Sequence, residues 1–294
     1  MQKQDLVWNV LPEYWYESAF MGNGMLGLMI YKEPQQNYIR FETGNCSVHD
    51  HRPGGGLFDN PRLLTGHFAL HPEGEIVGGD MRLDLYNAET RAHIVTTRGT
   101  IALQAFVHAE DMFIVVCVIP TDGEKNFRWK WVPAQADSPR YLYAQEEGDW
   151  IKVPEDYASN PQPEVRPGLS VQKLSAGGET AVAWREIQTT ESHIYAMTVS
   201  HSYPPKTAAR EALQTVDDAL KKGFETLQEK HRRWWNRFYT ASFLSLPDSV
   251  KENFYWIQMY KLASATRADR ALIDNTGPWL TVTPWPNAWW NLNV

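Results

Sequence analysis

The sequence predicts a mainly β chain with a C-terminal α portion, built as a large antiparallel β-sandwich followed by helices. Three observations carry that expectation. From Trp8 to about Tyr203, short apolar or alternating runs recur between turn residues with no helical period among them. Pro204-Pro205 then ends the β pattern, and apolar residues switch to a spacing of three and four. The length of 294 residues and hydrophobic content of 43% allow a sizeable core and make two units the reasonable organisation.

Residues 26–31 are apolar and follow the turn Gly22-Asn23-Gly24, and residues 38–42 alternate apolar with polar. Strands are expected next at 82–86, 93–97, 101–107 and 112–119, with Gly99, Asp111 and Asp122-Gly123 at the turns. In 127–132 the alternation sets Trp129 and Trp131 on one face and Lys130 on the other. Residues 133–174, rich in Pro, Ser, Gly and acids, read as a long excursion over one end of the sandwich. Strands at 180–187 and 193–200 close the set.

Thr207 is a fair N-cap for one long helix to about Tyr239. Its apolar stripe is Ala209, Leu213, Val216, Leu220, Phe224, Leu227, His231, Trp234 or Trp235, and Phe238, opposite a charged side, so it should lie along the sandwich as a linker helix. A second helix opens at Asp248 and runs to about Arg267. Val250, Phe254, Trp256, Ile257, Tyr260 and Leu262 cover more than one of its faces, so burial on most sides is expected.

The net charge of -7 and the lack of a basic patch exclude a nucleic-acid partner; Lys230-His-Arg-Arg233 reads as one helix face. No apolar run is long enough for a membrane span, and residues 1–5 show no signal peptide. Cys46 and Cys117 match no metal spacing and are expected as free, buried thiols. His49 and His51, with His67 and His71 further on, have a spacing worth testing for a metal. The flexible Arg52-Pro-Gly-Gly-Gly56 between them argues for solvated or substrate-facing histidines, so no metal and no cofactor is expected.

The last eighteen residues, 277–294, carry Trp279, Trp285, Trp289 and Trp290 among Pro278, Pro284 and Pro286, and finish on Asn291-Leu-Asn293-Val294. The prolines exclude a continuous helix through the first half. An ordered aromatic loop with amides beside it suits a sugar, whose CH faces stack on rings and whose hydroxyls take hydrogen bonds. The plain alternative is a Trp-rich packing segment.

Several stretches together resemble the glycoside hydrolase family 95 enzymes, the inverting α-L-fucosidases and their α-L-galactosidase relatives. They are Met21-Gly-Asn-Gly-Met-Leu-Gly27, the strand series of 81–118, Ser245-Leu-Pro-Asp248, Tyr260-Lys-Leu-Ala-Ser-Ala-Thr-Arg267, Gly277-Pro-Trp279 with Pro284-Trp285, and Asn291-Leu-Asn293. The resemblance runs through almost the whole chain in order. It implies a super-β-sandwich at 1–203, a helical linker at 204–244, and the first helices of an incomplete (α/α)6 catalytic barrel at 245–294. It further implies a periplasmic or secreted enzyme acting on a glycan.

By that resemblance Asn291 and Asn293 position the attacking water. An amide cannot itself be a general base, but its carbonyl oxygen can hold and aim a water. Trp279, Trp285, Trp289 and Trp290 are then candidate sugar platforms. The family's general acid has no counterpart here, so the chain alone is expected to be inactive. The barrel would be completed by a continuation of the same chain or by a homo-oligomer. The 41–56 stretch departs from the family's usual loop, and His49 or His51 is the expected substitute there as a substrate contact. The alternative from another class is a stand-alone carbohydrate-binding or structural β-sandwich module. A phosphorylase of the sandwich-plus-barrel type is a third reading, for which these residues show no phosphate cradle.

Overall fold

A computed structural model describes residues 2–54, 56–147, 150–270 and 276–287. In chain order the first strands are β1 (Leu6–Trp8), β2 (Ala19–Gly22), β3 (Leu26–Lys32), β4 (Ile39–Asn45), β5 (Gly66–His71), β6 (Ile76–Asp84), β7 (Glu89–Thr96), β8 (Thr100–Val107), β9 (Ile114–Pro120) and β10 (Arg128–Pro133). Helix α1 (Pro139–Glu146) follows, then β11 (Glu164–Arg166), β12 (Leu169–Lys173), β13 (Glu179–Gln188) and β14 (His193–Ser202). Helices α2 (Ala208–Lys222), α3 (Phe224–Thr240) and α4 (Ser249–Ala265) complete the described elements.

The chain is mainly β, with two antiparallel sheets followed by helices, as the alternation predicts. A nine-stranded sheet runs β1-β6-β7-β8-β9-β14-β13-β12-β11, and a five-stranded sheet runs β10-β5-β4-β3-β2. One core lies between them, from Leu28, Ile30, Phe41 and Phe68 on the smaller sheet to Leu83, Ile94, Leu103, Val116 and Met197 on the larger. Trp131 is buried, Trp129 half-buried and Lys130 exposed, so the period-two reading of β10 holds.

Several departures from the sequence reading have physical causes. The stretch 133–174 is not wholly irregular: Ser138 caps α1, with Pro139 in the first turn where its missing N–H costs nothing, and β11–β12 form a hairpin. Strand β5 escaped notice because His67 breaks its apolar run; the ring is buried against Tyr38 at 6.0 Å. The expected single helix is two. Gly223 sits at φ 78°, ψ 145°, a conformation closed to side-chain-bearing residues, and turns the chain between α2 and α3.

The stripe of α2 is also shifted. Ala208, Ala212, Val216 and Ala219 are the buried residues, while Leu213 and Leu220 flank them half-buried. Small side chains let α2 lie close on Ala181 and Ala183 of β13. Its N-terminus is held by the sheet rather than by the Thr207 side chain. Ser202 Oγ accepts from the N–H groups of Thr207 and Ala208, both at 3.0 Å, and Glu179 from that of Ala209.

Helix α3 continues along the larger sheet. His231 Nε2 donates to the Ala88 carbonyl at 3.2 Å, and Arg232 grips the buried Glu89 carboxylate through two nitrogens at 2.5 and 2.7 Å. Asp248 caps α4 as expected, accepting from the N–H groups of Val250 and Lys251. Burial of α4 on most sides is corrected: Trp256 and Tyr260 are inside, but Val250, Phe254 and Leu262 are 76%, 66% and 53% exposed. Cys46 and Cys117 are both buried. Among the described residues no helix is long and apolar enough to cross a membrane.

Gly223→Ala is expected to lower stability by about 1–3 kcal/mol, the range for a strained backbone. A Cβ there would meet nothing within 4 Å, so the loss comes from conformation alone. Urea denaturation checks this, and an unchanged midpoint would refute it.

Burial pushes His67 and His231 down to about 3 and His108 and His201 to about 4. Because these folded values lie below the unfolded one, the protons are bound by the unfolded chain first. The histidines' contribution is therefore complete above about pH 6.5 and is lost as pH falls toward 4 for His108 and His201 and toward 3 for His67 and His231. Each contributes a slope of roughly 1.4 kcal/mol per pH unit across that window. Replacing His231 with Gln should remove its share of the slope in denaturation at stepped pH.

Candidate functional site

The C-terminal loop is the natural place to look, because it joins the sandwich to α4. It is docked on a row of glycines. Gly22 pairs with Gly27, and Gly27 with Gly44, so one side-chain-free stripe crosses β2, β3 and β4. Pro278 lies on that stripe. A Cβ at Gly27 would come within 2.8 Å of Pro278 Cβ, and one at Gly44 would run into the Pro278 carbonyl. The end of α4 closes on the same turn: Gly24 N–H donates to the Ser264 carbonyl at 2.8 Å, and Tyr260 OH donates to the Phe20 carbonyl at 2.8 Å.

Asn23, fully buried between the glycines, is bonded in both senses. Its Nδ2 donates to the His108 and Asp111 carbonyls, and its Oδ1 accepts from the N–H groups of Met25 and Leu26. Two arginines fasten the loop from the other side. Buried Arg62 donates to Thr276 Oγ1 at 2.8 Å and to the Gly277 carbonyl, and its N–H bonds the Pro286 carbonyl at 2.9 Å. Arg140 donates to the Pro284 carbonyl.

Between the loop, α4 and the residues preceding β2 lies a cleft of about 550 Å³. Trp15 and Tyr16, 49% and 64% exposed, form one wall. Phe20 and Met29 line it from β2 and β3, and Gln258, Lys261 and Leu262 from α4. Trp279 forms the loop side, with Thr281 and Thr283 beyond it. The Trp279 ring stands edge-on to Phe20 at 5.2 Å and its Nε1 donates to the Met21 carbonyl at 2.8 Å, so its orientation is fixed. Among the described residues no Asp, Glu or His lines the cleft. Its described residues offer ring faces, hydroxyls, an amide and an ammonium, which make a binding surface.

The residues singled out from sequence divide. Trp279 lines the cleft. Trp285, 50% exposed, belongs to a neighbouring cluster in which the Arg140 guanidinium lies 5.2 Å from its ring, 5.4 Å from Trp150 and 5.6 Å from Phe58. His49 and His51 do not line the cleft. His49 Nε2 bonds the Cys46 carbonyl at 3.1 Å. His51 stacks on Tyr203 at 3.8 Å, and its Nε2 meets that of His201 at 3.0 Å. Burial lowers His51 from the ordinary imidazole value. One proton between those two nitrogens accounts for the short contact. No group of three or more metal-ligating side chains occurs among the described residues. Trp289, Trp290, Asn291 and Asn293 lie outside the described residues.

Sequence reasoning missed Trp15, Tyr16, Gln258 and Lys261. The consecutive aromatics Tyr14-Trp15-Tyr16 were a usable signal, since three rings in a row cannot all enter one core. Gln258 and Lys261 carried no signal.

No protein-family model matches this sequence, and no curated protein matches it. The fold is similar to that of a solved structure described as "Putative kojibiose phosphorylase from human microbiome", with a TM-score of 0.57 at 12% identity. The match covers 90% of this chain and 39% of that one, so this chain spans about two fifths of that protein's length.

Gly44→Ala is expected to cost about 1–3 kcal/mol, because the Pro278 carbonyl must yield to the new methyl. Gly78→Ala is the control: a Cβ there meets nothing within 4 Å. Equal melting midpoints for the two variants would show that the glycine row does not hold the loop.

Proposed function

We propose that this chain is the sandwich, linker and first-helix portion of a carbohydrate-processing enzyme, divided at 1–203, 204–244 and 245–294, and that the cleft beside Trp279 binds a sugar ring. The cleft carries the proposal: aromatic walls with hydroxyl and amide groups around them, at the junction of sandwich, α4 and C-terminal loop. The exposed apolar residues of α4 suit a barrel helix that further helices cover. The likeness in fold to the solved structure described as a "Putative kojibiose phosphorylase from human microbiome" supports the same class.

The reaction we favour is inverting hydrolysis of an α-linked L-fucosyl or related residue. A carboxylic acid protonates the leaving oxygen, and a base-activated water attacks the opposite face of the sugar. Asn291 and Asn293 hold that water through their carbonyl oxygens, while the acid and base belong to the remainder of the barrel. Phosphorolysis is the second reading, favoured by the likeness in fold; phosphate then replaces water as the nucleophile.

The chain should bind methyl α-L-fucoside, and Tyr16→Ala and Gln258→Ala should each weaken binding about tenfold, read by titration calorimetry. Both side chains are off the core, so folding should survive. Binding that ignores both changes would remove the cleft from the proposal. With aryl α-L-fucoside the chain alone should release no aglycone. A polypeptide that includes the rest of the barrel should release it without inorganic phosphate; an absolute need for phosphate, with sugar 1-phosphate as product, would establish the second reading instead.

A further inference from the structure

The five-stranded sheet has two edges, β2 and β10, and the cleft beside Trp279 lies at the β2 edge. At the β10 edge the sheets part again and leave a second cleft of about 380 Å³, lined by residues of β10, β13, β14 and the β11–β12 turn. Trp129 of β10 stacks on Tyr195 of β14 with ring centres 4.4 Å apart and planes within 10° of parallel. Trp184 of β13 extends the aromatic surface and contacts Trp131 at 6.1 Å. Unlike the first cleft, this one holds charges of both signs, Arg185 and Glu186.

The charged groups are held in place by the fold. Glu186 lies opposite Tyr195 across β13–β14, and its Oε1 accepts from Tyr195 OH at 3.1 Å and from His193 Nδ1 at 2.6 Å. Its Oε2 accepts no hydrogen bond among the described residues, and the side chain is 43% exposed. Arg185 pairs through Nε with Asp217 at 3.0 Å and donates from one terminal nitrogen to the Gly168 and Trp184 carbonyls. Gly168, at φ 74°, gives the guanidinium room: a Cβ there would come within 2.6 Å of it. The Trp184 N–H fastens the same turn by bonding the Gly168 carbonyl at 3.1 Å.

We propose that this β10–β13 edge is a second carbohydrate-binding cleft, taking one pyranose ring away from the site beside Trp279. The ligand class is set by the groups present. The half-buried Trp184 ring offers a surface to the CH face of a pyranose, and the second Glu186 carboxylate oxygen accepts from a sugar hydroxyl. The choice of a sugar rests on the carbohydrate reading above; the location rests on this geometry.

The experiment is saturation-transfer NMR and titration calorimetry on the whole chain with methyl α-L-fucoside and methyl α-D-glucoside. Two sites are expected for at least one probe. Gln258→Ala should leave one of them, and Glu186→Ala should weaken the other about tenfold. Tyr195→Phe keeps the stacked ring and Glu186 but removes one hydrogen bond, and should retain that site within about threefold. Thermal melts confirm that each variant is folded. Binding lost with Gln258→Ala and untouched by Glu186→Ala overturns the second cleft alone. No binding of either probe overturns both it and the carbohydrate reading.

Discussion

Pro278 rests on a stripe of backbone without side chains, and the junction between the sandwich and the C-terminal segment depends on that contact. Three glycines in register across β2, β3 and β4 bring the loop close enough for the Trp279 indole to bond the Met21 carbonyl and for Phe20 to meet its edge. Any larger residue at Gly27 or Gly44 would lift the loop from the sheet. The cleft's shape results from this approach, because its two long walls are the residues before β2 and the loop itself. The buried Arg62 gives the same segment an electrostatic anchor, satisfying the Gly277 carbonyl where water cannot reach.

The helices obey a related rule. α2 approaches the larger sheet through alanines, and α3 is fixed by the Arg232–Glu89 fork, a charge pair sheltered on the carboxylate side. Another buried carboxylate is likewise matched. Glu124, wholly inside, accepts from the N–H groups of Glu73 and Gly74 and from Thr96 Oγ1. Such matching holds a long connection in place. Both aromatic clefts lie at edges of the five-stranded sheet.

Most of the sheet architecture was legible. Alternation found β10 with its two tryptophans on one face, and apolar runs found β3, β8 and β9 to within a residue or two. Short strands were lost: β1 and β11 have three residues each, too few for a period to register. In α2 the sequence favoured the bulky leucines as the buried face, whereas close packing on β13 selected the alanines one position away. Of the proposed sugar contacts, Trp279 entered the cleft, while His49 and His51 went to hydrogen bonds with Cys46 and His201. Pairing His51 with His201 spans 150 positions, and no local pattern encodes it.

What the sequence determined by itself was local: the strand period, the prolines ending the β region, the Asp248 cap and the abundance of tryptophan near the C-terminus. These come from backbone sterics and from hydrogen bonds spanning a few residues, so each is readable in a short window. The tertiary structure decided which glycines align, which arginine holds the loop from 215 positions away, and which rings stay at the surface. Such outcomes depend on sheet register and on burial, and both are set by contacts between segments far apart in the chain.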